Sequence, residues 1–387
     1  MNNRRIILMI TIFVFSFFIF EPMVFADETV IESKSAVLID AATGEVLFEQ
    51  NKDEKLPPAS ITKIMTMLLT MEAVDSGKIT LEDKVNISEL ASKMGGTQLY
   101  LEPGELRTVE ELLIGVAVES ANDAATALGE YIGGTQESFV KMMNDRAKEL
   151  GMNNTKFKNA NGLSEEGHYT TAYDIAIMSK ELVKHPKIHQ YLTMWMANVT
   201  VGKNNDKTRT LANTNKLLRS YDGLDGIKTG YTSEAKHCLS ATSKKGNLRL
   251  ISVILSAPDS KVRFEEAAKL LDYGFANYDG IQVVDKGEEV KEIDIEKGKS
   301  EKLKVITEEP LNVLIKKGAD QEIDKKIVLK KSYKAPIKKG EKLGEIVVSS
   351  EGKEIGKVNL VASQPIEKTN VLFMYKKLIN NLLSPSK

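Results

Sequence analysis

A single cysteine, Cys238, excludes an internal disulfide and any cluster of thiolate metal ligands. Histidine is also scarce: of the four, His185 and His189 stand four apart, but Pro186 lies between them and no His-Glu-x-x-His pattern occurs. Zinc ligation is therefore not expected. Neither sign of charge dominates, with 53 Lys plus Arg against 54 Asp plus Glu. That balance removes the broad basic field a nucleic-acid partner requires. At 42% apolar and 28% charged residues, fibrous, collagen-like and largely disordered chains are excluded as well. The 387 residues allow two or three folded domains. What remains is a globular protein with a large core, and an enzyme is the expected class.

Arg4 and Arg5 precede an apolar run at 6–20, followed by Pro22 and the small-residue pattern Val24-Phe25-Ala26. Charged, then apolar, then small is the order of a secretory signal peptide. The alternative is an uncleaved anchor, for which this run falls short of the roughly 20 residues a span needs. Cleavage after Ala26 is expected, with 27–387 exported.

Ala36-Val37-Leu38-Ile39, the turn Ala42-Thr43-Gly44 and Val46-Leu47-Phe48 read as a β-hairpin. Helical signals dominate from about Ser60 to His185. Thr108 with Glu111 resembles a capping box opening an apolar helix through Val118, and Thr171 with Asp174 repeats the pattern before Ile175. Strands return at 226–232, 238–243 and 248–256, the last two joined by Lys245-Gly246-Asn247. A helix with Val262, Ala267, Leu270, Leu271 and Phe275 as its apolar positions follows. A helical middle between two hairpins predicts an α/β (α+β) domain over 27–277, its sheet mostly antiparallel and flanked by helices.

Composition then shifts: 278–387 holds 22 Lys, no Arg, and 18 Asp plus Glu. Alternating segments such as Lys302-Leu303-Lys304-Val305-Ile306 and Gly344-Glu345-Ile346-Val347-Val348 predict a small all-β domain over 278–365, without a catalytic constellation. In 366–387, Val371, Leu372, Tyr375, Leu378, Ile379, Leu382 and Leu383 recur at helical spacing, with Lys376, Lys377, Asn380 and Asn381 opposite. Such a helix packs either on the protein's own core or on an anionic membrane surface. Its terminal place in an exported chain favours the membrane, as a peripheral anchor.

Ser60-Ile61-Thr62-Lys63 follows Pro57-Pro58 and precedes the apolar run 64–69. With Pro58 at a helix start, Ser60 falls in the first turn and Lys63 one turn on, on the same face. A serine hydroxyl is a poor nucleophile until a base takes its proton. Lysine serves only when neutral, so burial or a second cation must lower its pKa. Alone the motif is weak, because Ser233-Glu234-Ala235-Lys236 fits it too. Ser120-Ala121-Asn122 is the only Ser-x-Asn, between two helical patterns, and Lys228-Thr229-Gly230 is the only Lys-Thr-Gly, on a predicted strand. Lysine and threonine there suit a substrate carboxylate, and glycine lets an extended substrate lie close.

With these three motifs in this order, the chain resembles the D-alanyl-D-alanine carboxypeptidases, the low-molecular-weight penicillin-binding proteins. Leu56-Pro57-Pro58-Ala59-Ser60-Ile61-Thr62-Lys63, Met94-Gly95-Gly96-Thr97-Gln98, Leu101-Glu102-Pro103-Gly104-Glu105, His168-Tyr169-Thr170-Thr171-Ala172 and the run from Asp225 through Thr232 all carry the likeness. It is strong over about 33–277. One departure is Lys236, where the family commonly has glycine.

The resemblance implies a serine β-lactamase/DD-peptidase-like domain, with Ser60 as nucleophile, Lys63 as base and Ser120 as proton relay. Asn122, Lys228, Thr229 and Gly230 would bind substrate, and the backbone N–H groups of Ser60 and Tyr231 would form the oxyanion hole. It implies a peptidoglycan stem peptide ending in D-Ala-D-Ala as substrate, β-lactams as acylating inhibitors, and no metal or organic cofactor. Two rivals share the opening chemistry: a β-lactamase, whose glutamate-containing loop has no match here, and a non-catalytic β-lactam sensor or wall scaffold. Burial is the expected fate of Cys238.

Overall fold

The computed structural model describes residues 31–319 and 322–369. The expected leader at 1–26 and the terminal helical pattern at 371–383 lie outside the described residues. β1 (Ser35–Asp40) and β2 (Val46–Gln50) form the expected hairpin. α1 (Lys63–Asp75) is buried around its whole circumference from Lys63 through Met71, its polar positions Lys63, Thr66 and Thr70 included, as befits a helix inside the core.

β3 (Lys84–Asn86) pairs with β4 (Leu106–Thr108). Thr108 then caps α2 (Val109–Ile114) in a full capping box with Glu111. The expected helix to Val118 does not continue as an α-helix: Gly115–Glu119 widens to a π-helical turn and stops at Ser120, whose φ is +69°. α3 (Asn122–Gly133), α4 (Gln136–Glu149), α5 (Ala172–Leu182) and α6 (Ile188–Leu192) follow, α5 being capped by Thr171 as expected.

A hairpin of β5 (Met196–Val201) and β6 (Lys207–Ala212) precedes β7 (Leu224–Thr232), β8 (Lys236–Lys245), β9 (Leu248–Ala257) and α7 (Ser260–Asn277). The central sheet is antiparallel throughout, in the order β2-β1-β9-β8-β7. Its two-residue alternation serves two cores. Ile251, Val253 and Leu255 face the cluster containing α1 and α5, while Leu248, Leu250 and Ile254 face the one containing α7.

α7 runs directly into β10 (Tyr278–Val284). β11 (Glu289–Glu296), β12 (Lys302–Thr307), β13 (Leu311–Lys316), β14 (Ile323–Leu329), β15 (Tyr333–Lys334), β16 (Lys342–Ser350) and β17 (Lys353–Ala362) complete the described chain. β10 pairs with β13, and the rest form one sheet, β14-β16-β17-β12-β11-β15, over a separate apolar cluster. No described helix is long and apolar enough to cross a membrane.

The sequence reading did not foresee the β3–β4 pair or the β5–β6 hairpin. Both are held by a buried ion pair between Glu105 and Arg107. Arg107 also donates to Gly202 O at 2.8 Å and Asn205 Oδ1 at 2.6 Å, at the β5–β6 turn, and the Gly202 amide donates to Glu105 Oε1 at 2.9 Å. Removing one partner leaves a buried charge uncompensated. Arg107→Ala is expected to lower stability by about 3–5 kcal/mol, read from denaturant midpoints; a loss under about 1 kcal/mol, the scale of an exposed pair, would show the pair is not structural.

Candidate active site

Ser60 sits not in an α-helix but in a 3-10 turn, Ala59–Thr62, that delivers the chain into α1. Ala59 opens the turn at φ +46°. The turn is held by the Thr62 hydroxyl, which donates to Ala59 O at 2.9 Å and lies 3.1 Å from His168 Nε2. Gly162 explains how the turn is seated: at φ +85°, a Cβ there would stand 1.9 Å from Ala59 O. Only a residue without a side chain fits against that backbone.

Lys63 is fully buried, and its Nζ has three neighbours: Ser60 Oγ at 3.0 Å, Asn122 Oδ1 at 2.6 Å and the Asn161 carbonyl oxygen at 2.6 Å. The two carbonyl-type oxygens can only accept. A neutral amine therefore spends its two N–H bonds on them and turns its lone pair toward the serine hydroxyl. Burial pushes the Lys63 amine well below its ordinary range, the nearby positive charge of Lys228 adds to this, and Asp123 opposes it. Lys228 is itself buried and pushed down to about 7, by desolvation and then by Arg263.

Asn122 is the first residue of α3. Its side chain also donates to Gly95 O at 2.6 Å, and its backbone N–H donates to Thr97 O at 2.7 Å. Ser120, buried beside it in the left-handed region, takes part in none of these bonds. Lys228, Thr229 and Gly230 lie on β7, the edge strand of the central sheet. Lys228 Nζ donates to Thr229 O at 2.9 Å, and the Thr229 hydroxyl is 2.6 Å from that of Thr214. At Gly230 a Cβ would meet Ala59 Cβ and Ile61 N at 3.2 Å, so the glycine admits the serine-bearing turn as well as any substrate. Tyr231 is exposed, its ring 4.5 Å from that of His237.

The structure thus brings Ser60, Lys63 and Asn122 into direct contact and sets β7 against their turn. Sequence reasoning missed Asn161, Gly162, Asp123 and Arg263. Asn161-Gly162 carries a turn signal, but a backbone carbonyl aimed at Lys63 has no sequence signature. Arg263, on α7, donates to Gly230 O at 3.1 Å and Cys238 O at 3.3 Å; only the sheet brings it there. Lys236 occupies φ +56°, a left-handed backbone conformation that favours glycine. Cys238 is buried, and desolvation raises its thiol to about 11. His168 is pushed down to about 4 by burial and Lys158. Among the described residues no group of three or more His, Cys, Asp or Glu could hold a metal ion.

A serine hydroxyl 3.0 Å from a buried lysine amine, beneath a strand that carries Lys-Thr-Gly, is the arrangement an acyl-transferring serine peptidase requires. The D-alanyl-D-alanine carboxypeptidase family model matches residues 23–259, and that of the penicillin-binding protein 5 C-terminal domain matches 278–368. The D-alanyl-D-alanine carboxypeptidase DacF of Bacillus subtilis is 46% identical over 351 residues, 90% of each chain. Penicillin-binding protein 5 of Haemophilus influenzae superposes with a TM-score of 0.69 at 32% identity, covering 88% of this chain and 98% of that one. Penicillin-binding protein D2 of Listeria monocytogenes in its ampicillin-bound form gives 0.57 at 35% identity, over 64% and 98%. This chain belongs to the D-alanyl-D-alanine carboxypeptidase family and is a serine-type peptidase.

Gly162→Ala is expected to displace the Ser60 turn and lower peptidase kcat/KM about 100-fold, the scale of an ångström-sized misplacement. Gly134→Ala carries similar backbone strain, φ +82°, with nothing within 4 Å, and serves as the control. Equal losses in both variants would count against the seating role.

Proposed function

We propose that this enzyme removes the terminal D-alanine from peptidoglycan stem pentapeptides through an acyl-enzyme on Ser60. The observation that carries the assignment of residues is the Lys63 amine, buried, depressed, and left with one free direction that points at the serine. Ser60 Oγ attacks the carbonyl of the penultimate D-alanine as Lys63 takes its proton. The backbone N–H groups of Ser60 and Tyr231 receive the oxyanion. Ser120 passes a proton to the departing amine, which leaves as D-alanine. Asn122 orders Lys63 and positions the substrate amide, while Lys228 and Thr229 hold the terminal carboxylate. Gly230 keeps β7 close to the peptide. Water then hydrolyses the ester and restores the serine. No metal or organic cofactor takes part. A β-lactam offers a strained carbonyl near a carboxylate and acylates the same oxygen.

In this reading residues 1–26 are a cleaved leader, 27–277 the catalytic domain, 278–365 a β domain, and 366–387 a helix lying on anionic lipid. The enzyme is then exported and peripheral on the outer face of the cytoplasmic membrane.

Protein lacking residues 1–26 is expected to release free D-alanine from a peptide ending in Lys-D-Ala-D-Ala, and Ser60→Ala to abolish it. Stoichiometric β-lactam labelling without D-alanine release would identify a sensor instead, and rapid repeated β-lactam hydrolysis a β-lactamase.

The base role also sets the pH profile. Because the Lys63 pKa is lowered, the neutral amine persists to lower pH than in an ordinary lysine, and acylation falls as pH drops through that value. Lys228→Gln removes the neighbouring cation, raises the Lys63 pKa and moves the acid limb to higher pH. A limb that stays in place would show that the second cation does not act on the base.

A further inference from the structure

The lysines of the β-rich region are not spread evenly over it. On β12 they face acidic partners across the sheet: Lys302 meets Glu292 at 3.1 Å and Lys304 meets Glu289 at 2.8 Å. Residues 330–342 instead hold Lys330, Lys331, Lys334, Lys338, Lys339 and Lys342, with Glu341 as the one acidic residue. All six lysines are exposed. Lys342 pairs with Glu345 at 3.2 Å, and none of the other five makes an ion pair among the described residues. The Glu341 carboxylate is turned to backbone, accepting from the Lys338 N–H at 2.9 Å. A solvated face ordinarily mixes the two signs, whereas a run of one sign projects a field into the solvent.

These lysines stand on ordered backbone. The buried Tyr333 hydroxyl accepts from the Lys330 N–H at 2.7 Å and donates to Leu343 O at 2.6 Å, tying the start of the run to β16. The Ala335 N–H donates to Glu296 O at 2.9 Å, and Ile337 and Ile366 exchange two N–H···O bonds of 2.9 Å each. The charges are therefore fixed on one surface rather than carried on a tail.

The position of this surface gives it a meaning. The turn between β16 and β17 lies against the catalytic domain, where residues 42–45 and 353–357 line one cavity. Lys342 begins the nine-residue β16 and so stands roughly 30 Å from that turn. Leu329, just before Lys330, pairs with Gly344 at this far end. Ile366 is there too, bonded to Ile337, and so is Thr369, whose N–H donates to Lys297 O at 2.8 Å. The lysine-rich surface thus surrounds the point from which the chain continues into its last apolar pattern, 371–383, and it faces away from the catalytic junction.

We propose that the lysine-rich end of the β domain, residues 330–342, is itself a membrane-contacting surface that binds the headgroups of anionic lipid beside the terminal segment. The proposal rests on the reading of 366–387 as a helix on anionic lipid, which is what selects a bilayer over a soluble polyanion. Binding of a short interfacial segment grows with its apolar area and with electrostatic attraction to the headgroups. The terminal pattern supplies the first, and the folded lysine surface next to it supplies much of the second. Such attraction needs no shaped pocket, only charges within about 8 Å of the surface, the screening length at physiological salt. Two contacts that meet the same bilayer also add their free energies, so each makes the other harder to detach.

The test titrates protein lacking residues 1–26 with vesicles of equal parts phosphatidylglycerol and phosphatidylcholine, read by co-sedimentation. The triple variant Lys334→Gln, Lys338→Gln, Lys339→Gln is expected to bind about 100-fold more weakly, at about fivefold per lysine, with peptidase kcat/KM in solution unchanged. The control Lys316→Gln, Lys353→Gln, Lys357→Gln removes the same charge at the end that meets the catalytic domain, and is expected to bind within about twofold of the wild type. Equal binding by the first variant and the wild type overturns the lysine surface, and so do equal losses in the two triple variants, the mark of net charge alone. Soluble polyphosphate bound as tightly as the vesicles, phosphate for phosphate, overturns the choice of a bilayer. Leu378→Gln with Leu382→Gln tests the terminal segment separately: no loss there beside a loss in the first variant removes the helix reading and leaves the lysine surface, and the reverse result does the opposite.

Discussion

A primary amine kept out of water is the constraint around which this structure is arranged. An ammonium ion at the Lys63 position would lose its hydration, and carbonyl oxygens alone do not compensate for that loss. The neutral amine costs far less there. The enclosure needs several parts at once: the buried circumference of α1, the first residue of α3, a carbonyl from Asn161, and the buried Lys228 on β7. The state of the Lys63 amine beside Ser60 is accordingly a property of how four separate chain segments close over one nitrogen.

Close approach of backbone to backbone is the means by which they close. Gly162 lies against Ala59 O, Gly230 against Ile61 N and Gly96 against the Asn122 side chain. Ala59, Tyr100, Ser120 and Lys236 adopt left-handed backbone around the same cleft without being glycine. Each such residue carries a modest conformational cost that the surrounding packing must outweigh. The π-helical turn before Ser120 belongs to the same pattern, since it ends one helix abruptly and lets the next begin two residues later at Asn122.

The β-rich part is joined to the catalytic sheet without a linker. α7 passes into β10, Lys317 N donates to Asn277 O at 2.8 Å, and Gly280 packs so tightly on Asn247 and Leu248 that a Cβ would stand 2.7 Å away. Leu314 contributes to the core beneath α7. This junction is at the β8–β9 turn, whereas the cleft is near the other end of the same strands, where Gly230 pairs with Cys238. The described part of the β-rich region therefore anchors to the sheet at a distance from the chemistry.

Much was legible in the sequence because it depends on local periodicity and short-range chemistry. The β1–β2 hairpin, the Thr108 and Thr171 caps, the three strands from β7 to β9 and the buried α1 follow from alternation, capping residues and turn residues within a few positions of one another. The same locality made Ser60-x-x-Lys63 readable as a pair one turn apart. The two small strand pairs, β3–β4 and β5–β6, were not readable, because what holds them is the contact of Arg107 with a turn far along the chain. By itself the sequence determined which residue types are available for nucleophile, base and carboxylate contact, and the secondary structure that carries them. Only the tertiary structure decided that Lys63 has two N–H acceptors and one free direction, and that Arg263 reaches Gly230. Those relations join residues distant along the chain, and their energies depend on burial, which no local pattern encodes.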